Sequence, residues 1–187
     1  MGFDLESLLV EYCSPTLASI KAANLFSASY SLQEEVESEI ERVNAKMQKK
    51  GIRLTILSFS KQRVLIYVYR VGALARILGD NNVKDFLFSY GYCTSDIDSS
   101  LDMLKSRFSE CRCFPHEIGI FLGYPLVDVK GFIDEKGANY KFAGIWKVYG
   151  SENEAEKYFE RIKRCISTYK HLFSNGVSID KLTVKAV

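Results

Sequence analysis

The chain has 187 residues, 47% of them hydrophobic, and its 25 lysine and arginine residues against 23 aspartate and glutamate residues give a net charge of +2. This length and apolar content fit one domain of ordinary size, so we predict a single domain over residues 1–187. Charges of both signs are interspersed along most segments, which sets up no strong field and disfavours nucleic-acid and membrane partners.

The first residues predict a cytoplasmic protein. They carry acidic side chains at Asp4, Glu6 and Glu11 and no basic region before a long apolar run, unlike a signal or transit peptide. No apolar run approaches the ~18 residues of a membrane span. The five cysteines are an odd number in a chain that can build a core without disulfides, so we expect reduced thiols.

The chain opens with helical patterns. Residues 5–12 have helical spacing, and Ser14 followed by Pro15 is typical of an N-cap and a first helical position, which predicts a second helix over residues 16–23. Cys13 is therefore expected directly before a helix start.

A strand and a well-marked helix follow. Residues 25–30 combine small and aromatic side chains, as in a short strand. Ser31 with Glu34 three residues later forms a capping box, and an apolar stripe then continues to a stop at Gly51.

The next two apolar runs predict an antiparallel hairpin. Residues 52–59 and 64–69 are rich in β-branched and aromatic side chains and are separated by a short polar loop. The second run is apolar at every position, so we expect it at the centre of the sheet. Four helical segments then run consecutively between Val71 and Gly137.

Residues 114–149, here called the motif segment, hold two of the three prolines and the only tryptophan. Pro115 and Pro125 each open a helix, the second ending at Gly137. Residues 140–149 alternate like one strand, and a long amphipathic helix follows.

This order of elements predicts an α+β fold: a mainly antiparallel sheet of about four strands with amphipathic helices packed on it. A doubly wound parallel sheet is the weaker alternative, because it requires regular alternation of strands and helices.

Three side chains are candidates for catalysis: Cys13, His116 and Glu117. A cysteine just before a helix N-terminus can be a nucleophile, because the helix dipole favours its thiolate. A histidine beside a carboxylate can act as a general base. The alternatives are a buried structural thiol, a hydrogen-bonded histidine and a carboxylate that caps the helix start.

Cys111, Cys113 and His116 form a C-x-C-x-x-H pattern that could supply three ligands to zinc or iron. Four-ligand sites usually pair two such groups, and the sequence offers no second one. We therefore predict no metal site and read the cysteines as the end of a helix.

Gly131, Asn139 and Lys147 are candidates for ligand binding. Gly131 lies inside a predicted helix, where glycine costs about 1 kcal/mol, so it indicates either a ligand or a close neighbour such as Gly144. Lys147 offers a cation beside an aromatic wall, a usual composition of a small-ligand site.

The motif FPHEIGIFLGYPLVDVKGFI, with the later WKVYG and the early CSPTLA and ANLF, resembles a bacterial family of unknown function found mainly in anaerobes. The likeness covers nearly the whole chain. It implies a cytosolic bacterial domain and transfers no activity, cofactor or site residue. It does mark Cys13, His116, Glu117, Asn139 and Lys147 as polar residues within its motifs.

The sequence favours a small-ligand-binding or accessory and regulatory domain that has no assembled catalytic set; the identity of any cofactor is unknown. The alternative is a thiol-dependent or acid–base enzyme that uses Cys13 with His116 and Glu117. A third hypothesis is a protein-interaction domain. The expected partner is accordingly a small molecule or another protein.

Overall fold

The computed structural model describes residues 3–110 and 114–185. Within them the protein has the predicted α+β fold, with a three-stranded and a two-stranded antiparallel sheet. No helix among these residues is both long and apolar enough to cross a membrane. The elements in chain order are α1 (Leu5–Leu17), β1 (Ala23–Ser29), α2 (Gln33–Met47), β2 (Ile52–Ser60), β3 (Arg63–Arg70), α3 (Val71–Gly79), α4 (Asn81–Phe88), α5 (Ile97–Glu110), α6 (Ile118–Phe121), α7 (Leu126–Asp134), β4 (Phe142–Ala143), β5 (Lys147–Val148), α8 (Glu152–Ser174) and α9 (Ile179–Leu182).

The chain forms two compact units. The first comprises the residues up to Leu74 and those from Cys165 onward, and the second is Ala75–Arg164. Helices α3 and α8 each contribute residues to both units. The single domain over residues 1–187 stays a prediction, because compact units of one chain are not by themselves independent domains.

The three-stranded sheet belongs to the first unit and has the order β1-β3-β2. The apolar strand β3 is therefore central, as its sequence predicted. Strands β2 and β3 form the predicted hairpin, whose turn is Lys61-Gln62 with φ values of 45° and 61°. Positive φ at both turn residues matches the right-handed twist of the flanking strands.

One face of this sheet is covered by α1, α2 and α9. Buried side chains of β3 at Val64, Ile66 and Val68 pack in one cluster with apolar residues of these helices. The alternation of these three positions puts them on the same face of the strand. This cluster is the hydrophobic core of the first unit.

Helix α1 corrects the predicted helix break at Ser14 and Pro15. The helix runs through Pro15 to Leu17, and the Ser14 hydroxyl donates to the Val10 carbonyl. The expected helix over residues 16–23 is absent, and β1 begins at Ala23. The apolar stripe explains the continuation: it places residues four apart in the core, and a proline in the last turn removes only one backbone hydrogen bond. The stripe consists of Leu5, Leu9, Cys13 and Leu17.

Helix α2 confirms its predicted stripe but not its predicted cap. Its buried positions are those of the apolar pattern, and the chain reverses at Gly51 with φ of 75°. However, Leu32 is the N-cap and no side chain caps the helix, so the box of Ser31 and Glu34 does not form. Packing of the stripe against the sheet holds this helix without the cap.

Lys21, between α1 and β1, is a buried lysine of the first unit. It is 5% exposed, and burial lowers the pKa of its ammonium to about 8, from an ordinary value of 10.5. Between these two values the unfolded chain binds more protons than the folded chain, so stability should rise with pH. The free energy of unfolding of the wild type, minus that of Lys21→Met, should increase by about 1.5 kcal/mol from pH 8 to 9.5.

Urea denaturation at several pH values measures this difference. Taking the difference between the two proteins cancels the titration of thiols and tyrosines that both contain. The exposed Lys49 supplies a control, because Lys49→Met removes the same charge from a solvated position. The prediction would be contradicted if the free energy of unfolding of the wild type, minus that of Lys21→Met, did not change over this pH range.

The second unit corrects the predicted strand over residues 140–149. This stretch is a hairpin of β4 and β5, in which the Gly144 amide donates to the Trp146 carbonyl at 3.1 Å. It is thus a separate two-stranded sheet and not a fourth strand of the main sheet. The predicted apolar face is retained, because Phe142, Trp146 and Val148 pack with Phe159 of α8.

Candidate functional site

A cleft of about 440 Å³ lies in the second unit, and the described residues that line it all come from the motif segment. Helices α6 and α7 form part of its wall, and the β4–β5 hairpin forms another part. Pockets of this size commonly hold small molecules. The apolar lining includes Phe114, Ile118, Leu122, Val129, Phe132 and Trp146.

Asp128 of α7 holds the hairpin side of the cleft in place. Its buried carboxylate accepts three hydrogen bonds: Oδ2 from the Trp146 indole at 2.7 Å, and Oδ1 from the backbone amides of Tyr149 at 2.8 Å and Gly150 at 2.7 Å. Its position in the first turn of α7 adds a favourable interaction with the helix dipole. Asp128 therefore fixes the orientation of the indole in the cleft wall.

Trp146 stacks with one aromatic ring and meets another edge-on. Its indole lies 4.5 Å from the Tyr124 ring at an interplanar angle of 27°, and 4.5 Å from the Phe159 ring at 89°. Both geometries are favoured by the ring quadrupoles. The tryptophan is thus held by ring contacts as well as by Asp128.

Lys147 of β5 brings a cation to the cleft. Its Nζ donates to the Gly137 carbonyl at 2.6 Å and lies 4.8 Å from the Tyr140 ring centroid and 5.8 Å from that of Phe132. Such distances allow cation–π attraction to both rings. The predicted pairing of a cation with an aromatic wall is therefore present, although Tyr140 itself does not line the cleft.

His116 also lines the cleft, whereas the neighbouring Glu117 is held elsewhere. The exposed imidazole meets the Phe132 ring edge-on with centroids 4.9 Å apart. Glu117 is 2% exposed; it accepts a hydrogen bond from the Tyr92 hydroxyl at 3.0 Å and forms an ion pair with Arg107. Glu117 does not cap α6 through its side chain. The Glu117 carboxylate thus has a structural role, and its partners are Tyr92 and Arg107 and not His116.

Two of the other ligand-binding candidates lie outside the cleft lining. A Cβ on Gly131 would stand 2.4 Å from Cγ of Tyr149, so close packing explains this glycine. A Cβ on Gly144 would instead clash with the Phe159 ring, which corrects the expectation that the two glycines face each other. Asn139 has φ of 52°, and its amide donates to Glu135 Oε2 at 2.7 Å.

Cys13 belongs to the first unit and has no helix N-terminus beside it. It lies within α1, fully buried, and burial raises the pKa of its thiol far above the ordinary value. This environment disfavours the thiolate that a nucleophile requires. The prediction that a helix N-terminus favours the Cys13 thiolate is wrong, because α1 continues through Pro15 and no new helix begins there.

The candidate metal ligands Cys111 and Cys113 lie outside the described residues. Over residues 3–110 and 114–185, no group of three histidine, cysteine, aspartate or glutamate side chains is placed to hold a metal ion. His116 is described and faces the cleft.

The comparisons with known proteins identify a family. Residues 9–183 match the family described as "Protein of unknown function (DUF3793)". The chain belongs to the DUF3793 family. This confirms the resemblance to a family of unknown function, which carries no activity to this chain. No curated protein and no solved structure matches the chain.

Two residues of this DUF3793 site were missed from the sequence. Asp128 is not among the residues selected from the sequence, because its partners follow 18 to 22 positions later in the chain. Phe132 was assigned to a helix stripe, yet it is the ring that both His116 and Lys147 contact. An acidic residue between two valines in the first turn of the helix was the available signal for Asp128.

Proposed function

We propose that this DUF3793 domain binds a small, largely apolar molecule in the cleft of the motif segment. The observation that supports it is the cleft itself: about 440 Å³, lined mostly by apolar and aromatic side chains, with Lys147 and His116 at its wall. A few polar groups in a largely apolar concavity are the usual composition of a small-ligand site.

The preorganisation of the cleft wall supports the same function. Trp146 is fixed by Asp128 and Tyr124, so its indole does not have to be ordered when a ligand arrives. Binding to a rigid wall costs less conformational entropy than binding to mobile side chains. A binding or accessory role also fits the position of Glu117: its carboxylate is paired with Arg107, so it is not available beside His116 for acid–base catalysis.

The only tryptophan of the chain gives a direct test, because Trp146 lies in the cleft. Selective excitation of tryptophan during titration with a library of uncharged apolar molecules should find compounds that change its emission saturably. The same compounds should stabilise the protein by about 2.7 kcal/mol at a concentration 100 times Kd. The proposed function would be contradicted if neither this library nor a matching set of charged apolar molecules contained such a compound.

A matched pair of variants locates the binding. Ala143 is exposed and lines the cleft, so Ala143→Phe should fill part of it and weaken binding at least about tenfold. Ala75 is exposed on α3 and does not line the cleft, and Ala75→Phe should leave binding unchanged. Equal binding by both variants would place the ligand elsewhere.

A further inference from the structure

We propose that the ligand of this cleft is an aromatic acid, whose ring packs in the aromatic wall and whose carboxylate is bound by Lys147 and His116. This inference rests on the proposed function and specifies the chemical class of its ligand. Its first basis is the surroundings of the lysine.

Lys147 is a positioned cation that pairs with no carboxylate in the part of the chain that the structure describes. Its ammonium has three N–H donors, and the Gly137 carbonyl accepts from one of them. The carbonyl and the two rings hold the ammonium in place and leave donors for an anionic group at the cleft.

His116 places a second polar group beside the same ring. Its imidazole lies 4.9 Å from the centroid of Phe132, and the Lys147 Nζ lies 5.8 Å from that centroid. Both side chains line the cleft. In this proposal the ligand carboxylate lies near the Phe132 ring, where the ammonium and an imidazole N–H would donate to it; hydrogen bonds to a carboxylate are of the stronger, charge-assisted kind.

Asp128 is the acidic residue among the described lining residues, and its carboxylate is not available to bind a cationic ligand. Both its oxygens already accept N–H groups, three in all, and the side chain is 4% exposed. Three donors and the helix dipole offset its charge where it stands. A cationic ligand would have to displace these bonds, whereas an anionic ligand finds unused donors at Lys147.

The remainder of the lining favours a planar ring as the body of the ligand. Phe114, Phe132, Tyr124 and Trp146 present aromatic faces and edges within one cleft. Aromatic rings gain energy from stacked and edge-to-face contacts beyond the burial of their area. An aryl carboxylate matches both the ring-lined wall and the cation.

Matched ligands that differ only in charge test the inference. Phenyl, indolyl and naphthyl compounds, each as carboxylate, primary amide and amine, are titrated against the whole chain and followed by calorimetry, which does not depend on ligand fluorescence. The acids of at least one series should bind about 10- to 100-fold more tightly than their amides. Amides that bind as well as the acids, or amines that bind more tightly, would overturn the inference and leave the proposed function intact.

Two lysine variants assign the effect to a side chain. Lys147→Gln should weaken binding of the acid about 10- to 100-fold and binding of the amide much less, because a neutral carbonyl gains less from the ammonium than a carboxylate does. The matched control is Lys141→Gln, because Lys141 is exposed, donates to the Gly150 carbonyl at 3.0 Å and does not line the cleft. Equal loss in both variants, or no loss in Lys147→Gln with an unchanged unfolding curve, would overturn the assignment.

His116→Gln gives an independent measurement should Lys147→Gln prove unstable. Replacing the exposed imidazole should weaken binding of the acid about fivefold, with the amide affected less. An acid that binds as tightly to this variant as to the wild type would remove His116 from the proposal. If no compound of any charge binds and the uncharged library also fails, the proposed function falls together with the inference.

Discussion

Replacing Asp128 with alanine should lower the free energy of unfolding by about 3 to 5 kcal/mol. The substitution removes the acceptor of three hydrogen bonds, from the Trp146 indole and from the Tyr149 and Gly150 amides. Each partly buried donor then lacks a partner, and an unsatisfied donor of this kind costs about 1–3 kcal/mol. Urea denaturation followed by tryptophan emission measures the loss where it occurs, because Trp146 is itself one of the donors.

Two further variants separate the hydrogen bonds from the loss of a negative charge. Asp134→Ala removes a carboxylate from the same helix at an exposed position and should change stability by less than about 0.5 kcal/mol. Asp128→Asn keeps one carbonyl oxygen for the backbone amides but turns an N–H group towards the indole, so its cost should be intermediate. Equal stability of Asp128→Ala and Asp134→Ala would contradict the role assigned to the carboxylate.

The same carboxylate links stability to the cleft. Without Asp128 the indole is held only by its ring contacts, so the wall of the cleft loses its fixed orientation. Ligands that bind the wild type should bind Asp128→Asn more weakly even where the variant is fully folded. Weaker binding by a folded variant would show that the cleft requires an indole whose orientation is fixed before the ligand binds.

The general plan of the fold follows from local signals in the sequence. Three such signals each predicted an element, and each acts over a few residues. They are the apolar stripe of α2, the all-apolar run of β3, and the prolines and glycines at the helix ends of residues 115–137. Local signals failed where a longer pattern overrode them. At Pro15 the stripe of α1 continued through a residue pair typical of a helix start.

The prediction of one strand over residues 140–149 was wrong for a different reason. Its alternation of apolar side chains satisfies either one strand or two short strands, since both place Phe142, Trp146 and Val148 on one face. In the hairpin, Phe159 of α8 occupies the space that a side chain at Gly144 would need. A contact between residues so far apart in sequence leaves no local pattern that could predict it.

The cleft itself was predicted in part. Lys147 was chosen as a cation beside an aromatic wall and His116 as a general base beside Glu117, and both line the cleft. Glu117 was chosen as the carboxylate beside His116, Asn139 as a polar residue of the motif and Gly131 as a glycine inside a helix, but their partners Arg107, Glu135 and Tyr149 were not visible from the sequence. Residue type indicates what a side chain can do, and only its neighbours show whether it is already engaged.

Gly131→Ala should destabilise the protein by about 3 kcal/mol although it adds a single methyl group. A Cβ at this position would stand 2.4 Å from Cγ and 2.7 Å from Cβ of Tyr149. The tyrosine cannot move away cheaply, because its amide donates to Asp128 and its hydroxyl donates to the Ala138 carbonyl at 2.7 Å. Helix α7 and the hairpin must therefore separate to admit the methyl group.

Gly72→Ala supplies a control of opposite sign. Gly72 also lies in a helix, α3, but a Cβ there meets nothing within 4 Å, so alanine should stabilise by about 0.5–1 kcal/mol through its higher helix propensity. In a Tyr149→Ala background the ring is gone, and the cost of Gly131→Ala should fall by more than about 1 kcal/mol. An undiminished cost in that double-mutant cycle would show that something other than the tyrosine ring excludes a side chain at position 131.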